Sequence, residues 1–307
     1  MVSEKINRRN FITKAGAALA STLLPWHYLA GDPVKSTVWE IEGKAGPAVP
    51  ELFDAIGGLQ SILKKDPALS TIILKPNLCL PHKSSLGTTT SIELMDSICE
   101  YLIAEGVKKI IITDHTLQHA DSFQQHEIVQ LGKKYPPVKV ILANEQRLYQ
   151  PVSSNGKVLK EVEILKLIPR ADLLLNLATA KHHTATHVTL AIKNLMGLIW
   201  DRSAFHTEMD LAQAIADLTL VIKPQLNIID ASRVLLNGGP TGPGPIINEN
   251  RLFASTDILA VDSIVAARYN FGGKSLSPKE IPHLRATYQA GIGEIDHENI
   301  NLQKLKA

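Results

Sequence analysis

The chain has 307 residues, 32 basic and 30 acidic side chains, a formal net charge of +2 and 45% hydrophobic residues. That length admits one large domain or two small ones, and a near-neutral charge without runs of like charge excludes an electrostatic nucleic-acid binder. Aromatic residues make up 5%, which argues against base-stacking platforms. The only cysteines, Cys79 and Cys99, exclude a four-cysteine zinc site or iron–sulfur cluster built from this chain alone. They read either as a disulfide or as two small buried hydrophobes.

Residues 1–30 stand apart from the fold. Arg8-Arg9 followed by Phe11-Ile12, then an apolar stretch from Ala15 to Pro25 too short for a comfortable membrane span, resemble a twin-arginine (Tat) export signal. The resemblance implies the Tat export machinery as a partner and a periplasmic destination. Neither Ala18-Leu19-Ala20 nor Tyr28-Leu29-Ala30 is a good cleavage site, so an uncleaved segment is the expected route to any membrane attachment. Residues 31–307 are expected to form a single domain.

In chain order, Ser36 to Ile41 reads as a first strand, and Ala48 to Lys64 carries helical apolar spacing through Leu52, Ile56, Leu59 and Leu63. Ser70 to Leu74 is a buried-type strand closed by Lys75-Pro76-Asn77. A polar loop with Thr88, Thr89 and Thr90 precedes a helix from Ile92 to Glu105, with Ser91 as N-cap and Gly106 as stop. Lys109 to Thr113 is a strand ending in Asp114-His115, Phe123 to Tyr135 a helix, and Val138 to Leu142 a strand. Ser153-Ser154-Asn155-Gly156 predicts a hairpin turn. Ala171 to Leu177 is a buried strand, followed by a polar turn holding Lys181, His182, His183, Thr184, Thr186 and His187, then a short helix bearing Lys193 and Asn194. Thr207 to Ile222 is an amphipathic helix, and Leu226 to Ile229 a strand ending at Asp230. Asn237 to Pro245 is a glycine–proline loop, Arg251 to Ser255 a strand, and Thr256 the cap of a helix from Asp257 to about Tyr269. Ile281 to Gln289 is the last helix.

Short apolar strands alternating with helices imply an α/β fold, a mainly parallel sheet with helices on both faces in a three-layer sandwich. Ligands of such sheets sit outside the carboxyl ends of the strands. Lys75 and Asn77, Asp114 and His115, Lys181 to His187, and Asp230 all follow strand ends, which predicts one shared site.

Lys75, Lys181 and Lys193, with Asn77, Asn194 and Gly239 of the glycine–proline loop, would suit a small carboxylate or phosphate. Lys193 lies between apolar neighbours, so it is either a surface lysine or a buried one needing a partner or a lowered pKa. His183, His206, Asp230 and Asp262 would supply proton transfer. His183 and His187 are four residues apart and, with His206 and Asp114 or Asp230, could alternatively bind a divalent metal, although no high-specificity metal spacing is present. Asp262 reads either as a buried hydrogen-bonding acid or as a site carboxylate. The glycine–proline loop lacks both the dinucleotide and the Walker A patterns and reads as a lid or as a plain surface turn.

Lys75-Pro76-Asn77-Leu78, Ala171-Asp172-Leu173-Leu174-Leu175-Asn176, Lys181 with His183, and Thr189 to Gly197 form an ordered set. It continues through His206, Ile229-Asp230, Gly239-Pro240, Ser255-Thr256-Asp257 and Ala260-Val261-Asp262 to Gly291-Ile292-Gly293. With these the chain resembles the DUF362 family, over roughly Thr71 to Glu294. The resemblance names no reaction. Many members carry a fused ferredoxin-like segment, which these two cysteines do not match, so no iron–sulfur cluster is expected from this chain. Two readings follow: an exported enzyme acting on a small anion, or a periplasmic binding or redox-accessory protein using the same pocket without turnover.

Overall fold

A computed structural model describes residues 35–117 and 127–307. The twin-arginine segment and the start of the helix expected from Phe123 lie outside the described residues. The fold is that of the unit Lys35–Ala307.

One large sheet organises this unit. Its strands are β1 (Ser36–Glu42), β2 (Ile72–Pro76), β3 (Ile110–Asp114), β4 (Val138–Leu142), β7 (Leu173–His183), β9 (Leu226–Leu235), β11 (Arg251–Ser255) and β12 (Ile300–Lys306), in the order β12-β1-β11-β9-β7-β2-β3-β4. β8 (His187–Thr189) pairs with β7, and β10 (Ile246–Asn248) with β9, while β5 (Tyr149–Ser153) and β6 (Glu161–Leu165) form a separate antiparallel hairpin. The run β9-β7-β2-β3-β4 is parallel throughout. β11 is antiparallel to both its neighbours, and β12 is parallel to β1.

Strand side chains alternate between two cores, as a two-residue pleat requires. Ile73, Ile111, Leu174 and Ala178 enter one core; Ile72, Leu74, Ile110, Ile112, Leu173, Leu175 and Leu177 enter the other. Helices α4 (Ala191–Asn194), α5 (Ser203–Thr207), α6 (Leu211–Val221), α7 (Ile258–Arg268) and α8 (Pro282–Gln289) contribute to the first core, through Ile192, Phe205, Ile215, Leu259 and Leu284 among others. Helices α1 (Ala45–Ala55), α2 (Ile92–Ala104) and α3 (Glu127–Lys134) close the second, through Leu52, Phe53, Leu94, Ile98 and Leu131. The result is a three-layer α/β sandwich around a mostly parallel sheet. No helix among the described residues is long and apolar enough to cross a membrane.

The elements differ from the sequence reading at a few places. The helix expected to reach Lys64 stops at Ala55, because Gly57 and Gly58 take φ of +87° and +81°. The polar turn expected after Leu177 is strand: β7 runs on to His183 and folds back through residues 184–186 into β8. The helix expected over Thr207 to Ile222 begins only at Leu211, as α6, where Asp210 caps it by accepting from the N–H groups of Ala212 and Gln213; Thr207 instead ends the separate short helix α5. Asp257 rather than Thr256 caps α7. β12 was not anticipated. Cys79 and Cys99 are unpaired: Cys99 is buried in the core, and Cys79 is half-buried.

Candidate functional site

The carboxyl ends of β2, β3 and β7 gather on one edge of the sheet, and a cavity of about 610 Å³ opens there. Strands β2 and β3 deliver Lys75, Asn77, Asp114 and His115; β7 and β8 deliver Lys181, His183 and Thr189; α4 and the turn after it deliver Lys193, Asn194, Met196 and Gly197. Trp200, Arg202 and His206 close the far wall, and Pro240 of the glycine–proline loop completes it. Its volume is that of a small-molecule site.

Beneath this wall lies a polar network. Asn77 Nδ2 donates to Asn194 Oδ1 (3.1 Å), Asn194 Nδ2 to Asn176 Oδ1 (2.8 Å), and Asn176 Nδ2 to Asn227 Oδ1 (2.9 Å). This chain of amides crosses from β2 to β9 and fixes the short helix α4 on the sheet, since Asn194 Nδ2 also donates to the Lys75 carbonyl (3.2 Å). Satisfied buried networks of this kind are rigid.

The three lysines are held differently. Lys75 is fully buried and ion-paired to Asp114 at 2.9 Å, while its Nζ also donates to the Pro76 carbonyl at 2.6 Å. Burial lowers its pKa, and Asp114 opposes that shift. Gly197 permits the pair, because a Cβ there would collide with Asp114 Oδ1 and the end of Lys75. Lys181, 1% exposed, donates to the Thr88 carbonyl (2.6 Å) and Asn77 Oδ1 (3.1 Å). Lys193, 9% exposed, has the Met196 sulfur, at 2.8 Å, as its one hydrogen-bond partner among the described residues. Burial, then the Arg202 charge, lower its pKa to about 8. Arg202 is anchored by donating to the carbonyls of His115 (2.9 Å) and Thr116 (3.2 Å). Among the described residues no carboxylate lies within ion-pairing distance of Lys181, Lys193 or Arg202. Thr189 Oγ1, also on the wall, is buried without a protein partner among those residues.

Two of the three imidazoles on the cavity wall, His183 and His115, are held in complementary states. His183 Nδ1 accepts from the Ala185 N–H (3.1 Å), so its proton sits on Nε2. Burial, then the Lys193 and Lys181 charges, lower its pKa to about 3, keeping it neutral. His115 Nδ1 donates to the Ile199 carbonyl (2.9 Å), leaving Nε2 as an acceptor, and the ring stacks on Trp200 at 5.1 Å. Its pKa is lowered by burial and by Arg202. One ring offers an N–H and the other a lone pair.

Of the residues proposed from sequence, Lys75, Asn77, Lys181, His183, Lys193, Asn194 and His206 line the cavity, whereas Asp230, Asp262 and Gly239 do not. Asp230 accepts from the N–H groups of Ser91 (2.7 Å) and Ser232 (2.9 Å), and so ties the start of α2 to β9. Asp262 accepts from the N–H groups of Ala191 (2.7 Å) and Ile192 (2.9 Å), which seats the first turn of α4. Gly239 packs on the His182 carbonyl and donates to His182 Nδ1 (3.2 Å), bracing the β7–β8 hairpin. Among the described residues no three His, Cys, Asp or Glu side chains could together hold a metal ion. Sequence reasoning missed Arg202 and Trp200, and it gave His115 no role.

Residues 72–267 match a family described as a domain of unknown function, DUF362. The chain belongs to the DUF362 family. It is also similar to a thylakoid-associated protein of Synechocystis sp., 22% identical over 256 residues that cover 78% of this chain and 73% of that protein. The DUF362 match spans every strand-end residue of the cavity, from Lys75 on β2 to His206 on α5. It also spans the scaffold carboxylates Asp230 and Asp262. A DUF362 motif residue is therefore not by that fact a cavity residue: in this chain the motifs divide between cavity wall and the supports behind it.

Proposed function

We propose that the chain binds a small carboxylate or phosphate in this cavity and acts on it as an enzyme. One observation carries the reading: Lys181, Lys193 and Arg202 bring three cationic groups to the wall without a carboxylate partner among the described residues. Burying charge without compensation is costly, and an anionic ligand supplies the missing compensation. The donor His183 and the acceptor His115 favour proton transfer over simple capture. Thermal melts test the reading. Phosphate or lactate should raise the Tm of the wild type, with a gain of about 2.7 kcal/mol at a hundredfold excess over Kd. Arg202→Gln and Lys181→Met should shrink the shift. Equal shifts in all three proteins would take these cations out of the site.

We also propose that the twin-arginine segment directs export through the Tat machinery to the periplasm. The support is the paired Arg8-Arg9 ahead of Phe11-Ile12. Lysine at both arginines should hold the protein in the cytoplasm, and an unchanged periplasmic yield would refute export by this route.

A further inference from the structure

We infer that Lys193 is an amine nucleophile that forms an imine with a small carbonyl compound carrying a carboxylate or phosphate. The inference rests on the anion-site reading and goes further, by naming the reacting group of the ligand and the atom that attacks it.

The geometry singles out one lysine of three. The Lys75 amine is committed to Asp114 and to the Pro76 carbonyl. The Lys181 amine is committed to the Thr88 carbonyl and to Asn77. Each arrangement stabilises an ammonium. The Lys193 amine has no oxygen acceptor among the described residues and meets only a thioether, a weak acceptor. Its head lies on the cavity wall, on a helix locked down by Asn194 and Asp262. Arg202 and Lys181 act on it as like charges, and both disfavour its protonation. An amine in an apolar, cation-flanked niche loses its proton readily and becomes nucleophilic. With a pKa near 8, about one molecule in ten carries the free amine near pH 7, against roughly one in a few thousand for an ordinary lysine.

The other wall groups suit the same step. Arg202 and Lys181 would hold the anionic end of the ligand. The neutral His183 can direct its Nε2 proton at the carbonyl oxygen as negative charge develops there. The amine lone pair attacks the carbonyl carbon, and the C=O π pair moves to oxygen. Proton transfer from nitrogen to that oxygen gives the neutral carbinolamine. The C–O bond then breaks as the nitrogen lone pair forms C=N, and the oxygen leaves as water carrying both hydrogens of the original amine. Amine and carbonyl become imine and water, with no change of oxidation state.

The test uses the purified full chain near neutral pH with cyanoborohydride, which reduces an imine to a stable secondary amine. Pyruvate is the carboxylate probe and glycolaldehyde phosphate the phosphate probe. Lactate and inorganic phosphate are the anions without a carbonyl. Peptide mapping should find the adduct at Lys193, formed about a hundredfold faster than at exposed lysines such as Lys64. Which probe labels distinguishes a carboxylate from a phosphate ligand. Lys193→Arg should abolish the adduct. Labelling spread evenly over surface lysines, or none at Lys193 with either probe, overturns the inference. If lactate or phosphate still raises the Tm in that case, the anion site stands without the imine. If neither anion shifts the Tm and Lys193 is unlabelled, both readings fall. Mapping the wild type makes the result independent of whether a variant folds.

Discussion

Lys75 and His283 show two ways of burying a titratable group, and each gives a prediction. Lys75→Met would strand the buried carboxylate of Asp114, at a cost of roughly 3–5 kcal/mol in chemical denaturation. Adding Asp114→Asn should recover most of that loss; no recovery would mean that the pair is not the source of the cost. His283, on α8, is 1% exposed, and neither ring nitrogen has a protein partner among the described residues. Burial, then the Lys193 and His187 charges, lower its pKa to about 3. The unfolded chain therefore takes the proton first as pH falls. The stability this contributes is present above about pH 6.5 and is lost toward pH 3, with a slope of about 1.4 kcal/mol per pH unit for each such group. His183 shares the sign and the window. His283→Leu should be neutral to about 2 kcal/mol stabilising at pH 7, because no buried bond is lost. It should also flatten the acid limb of stability against pH by one proton. An unchanged slope would show that His283 does not titrate with folding.

At the level of elements, the short helix α4 depends on a residue far away in sequence. Asp262 holds the N–H groups of Ala191 and Ile192 and so fixes the position of Lys193. Asp262→Ala should cost about 3 kcal/mol or more, since two buried hydrogen bonds go and two buried backbone donors are left unpaired. It should also diminish the Tm shift with phosphate, although Asp262 lies off the cavity wall; a full shift would show that α4 holds its place without this cap. The pH sign of Asp262 opposes that of the histidines. Burial raises its pKa to about 8, so its contribution is complete below the ordinary value of 3.8 and is lost as pH rises through 8. Asp262 also shows where the sequence stopped being informative. The buried strands were legible because short runs of Ile, Val, Leu or Phe, bounded by Gly, Pro or charge, have few other readings. Both Val138–Leu142 and Arg251–Ser255 fall where periodicity put them. β12 was not, because Ile300–Lys306 alternates apolar and polar residues too weakly to stand out. The candidate cavity was legible as far as strand ends supply it, through Lys75, Asn77, Lys181 and His183. Arg202 is brought in by the chain's return after α4, and its bonds to the His115 and Thr116 carbonyls fix its direction. Asp230 was mistaken for a cavity group, and Asp262 takes the first of its two readings, the buried hydrogen-bonding acid, because a buried carboxylate that caps backbone N–H groups looks, in sequence, like one that faces a ligand.

For the whole molecule, the sheet divides into a ligand-bearing wing and an edge. The cavity lies over β2, β3 and β7, whereas β12, β1 and β11 stand beyond β9. Removing residues 300–307 should therefore lower the Tm and promote association through the uncovered edge of β1, yet leave the phosphate-dependent shift intact in the soluble fraction. Loss of that shift in folded, soluble protein would show that the two wings are coupled. The edge also dictates an order of events during synthesis. Trp39 pairs with Ala254, and Ser36 with Ile300, so β1, which leaves the ribosome ahead of the other described strands, has no partner strand until most of the chain has followed it. The wing β2-β3-β4 can meanwhile close from contacts within about seventy residues, which is the cheaper loop entropy. β1 waits as an unpaired strand with Val38, Trp39 and Ile41 uncovered, so a pause in translation before β11 exposes the nascent chain to mispairing there.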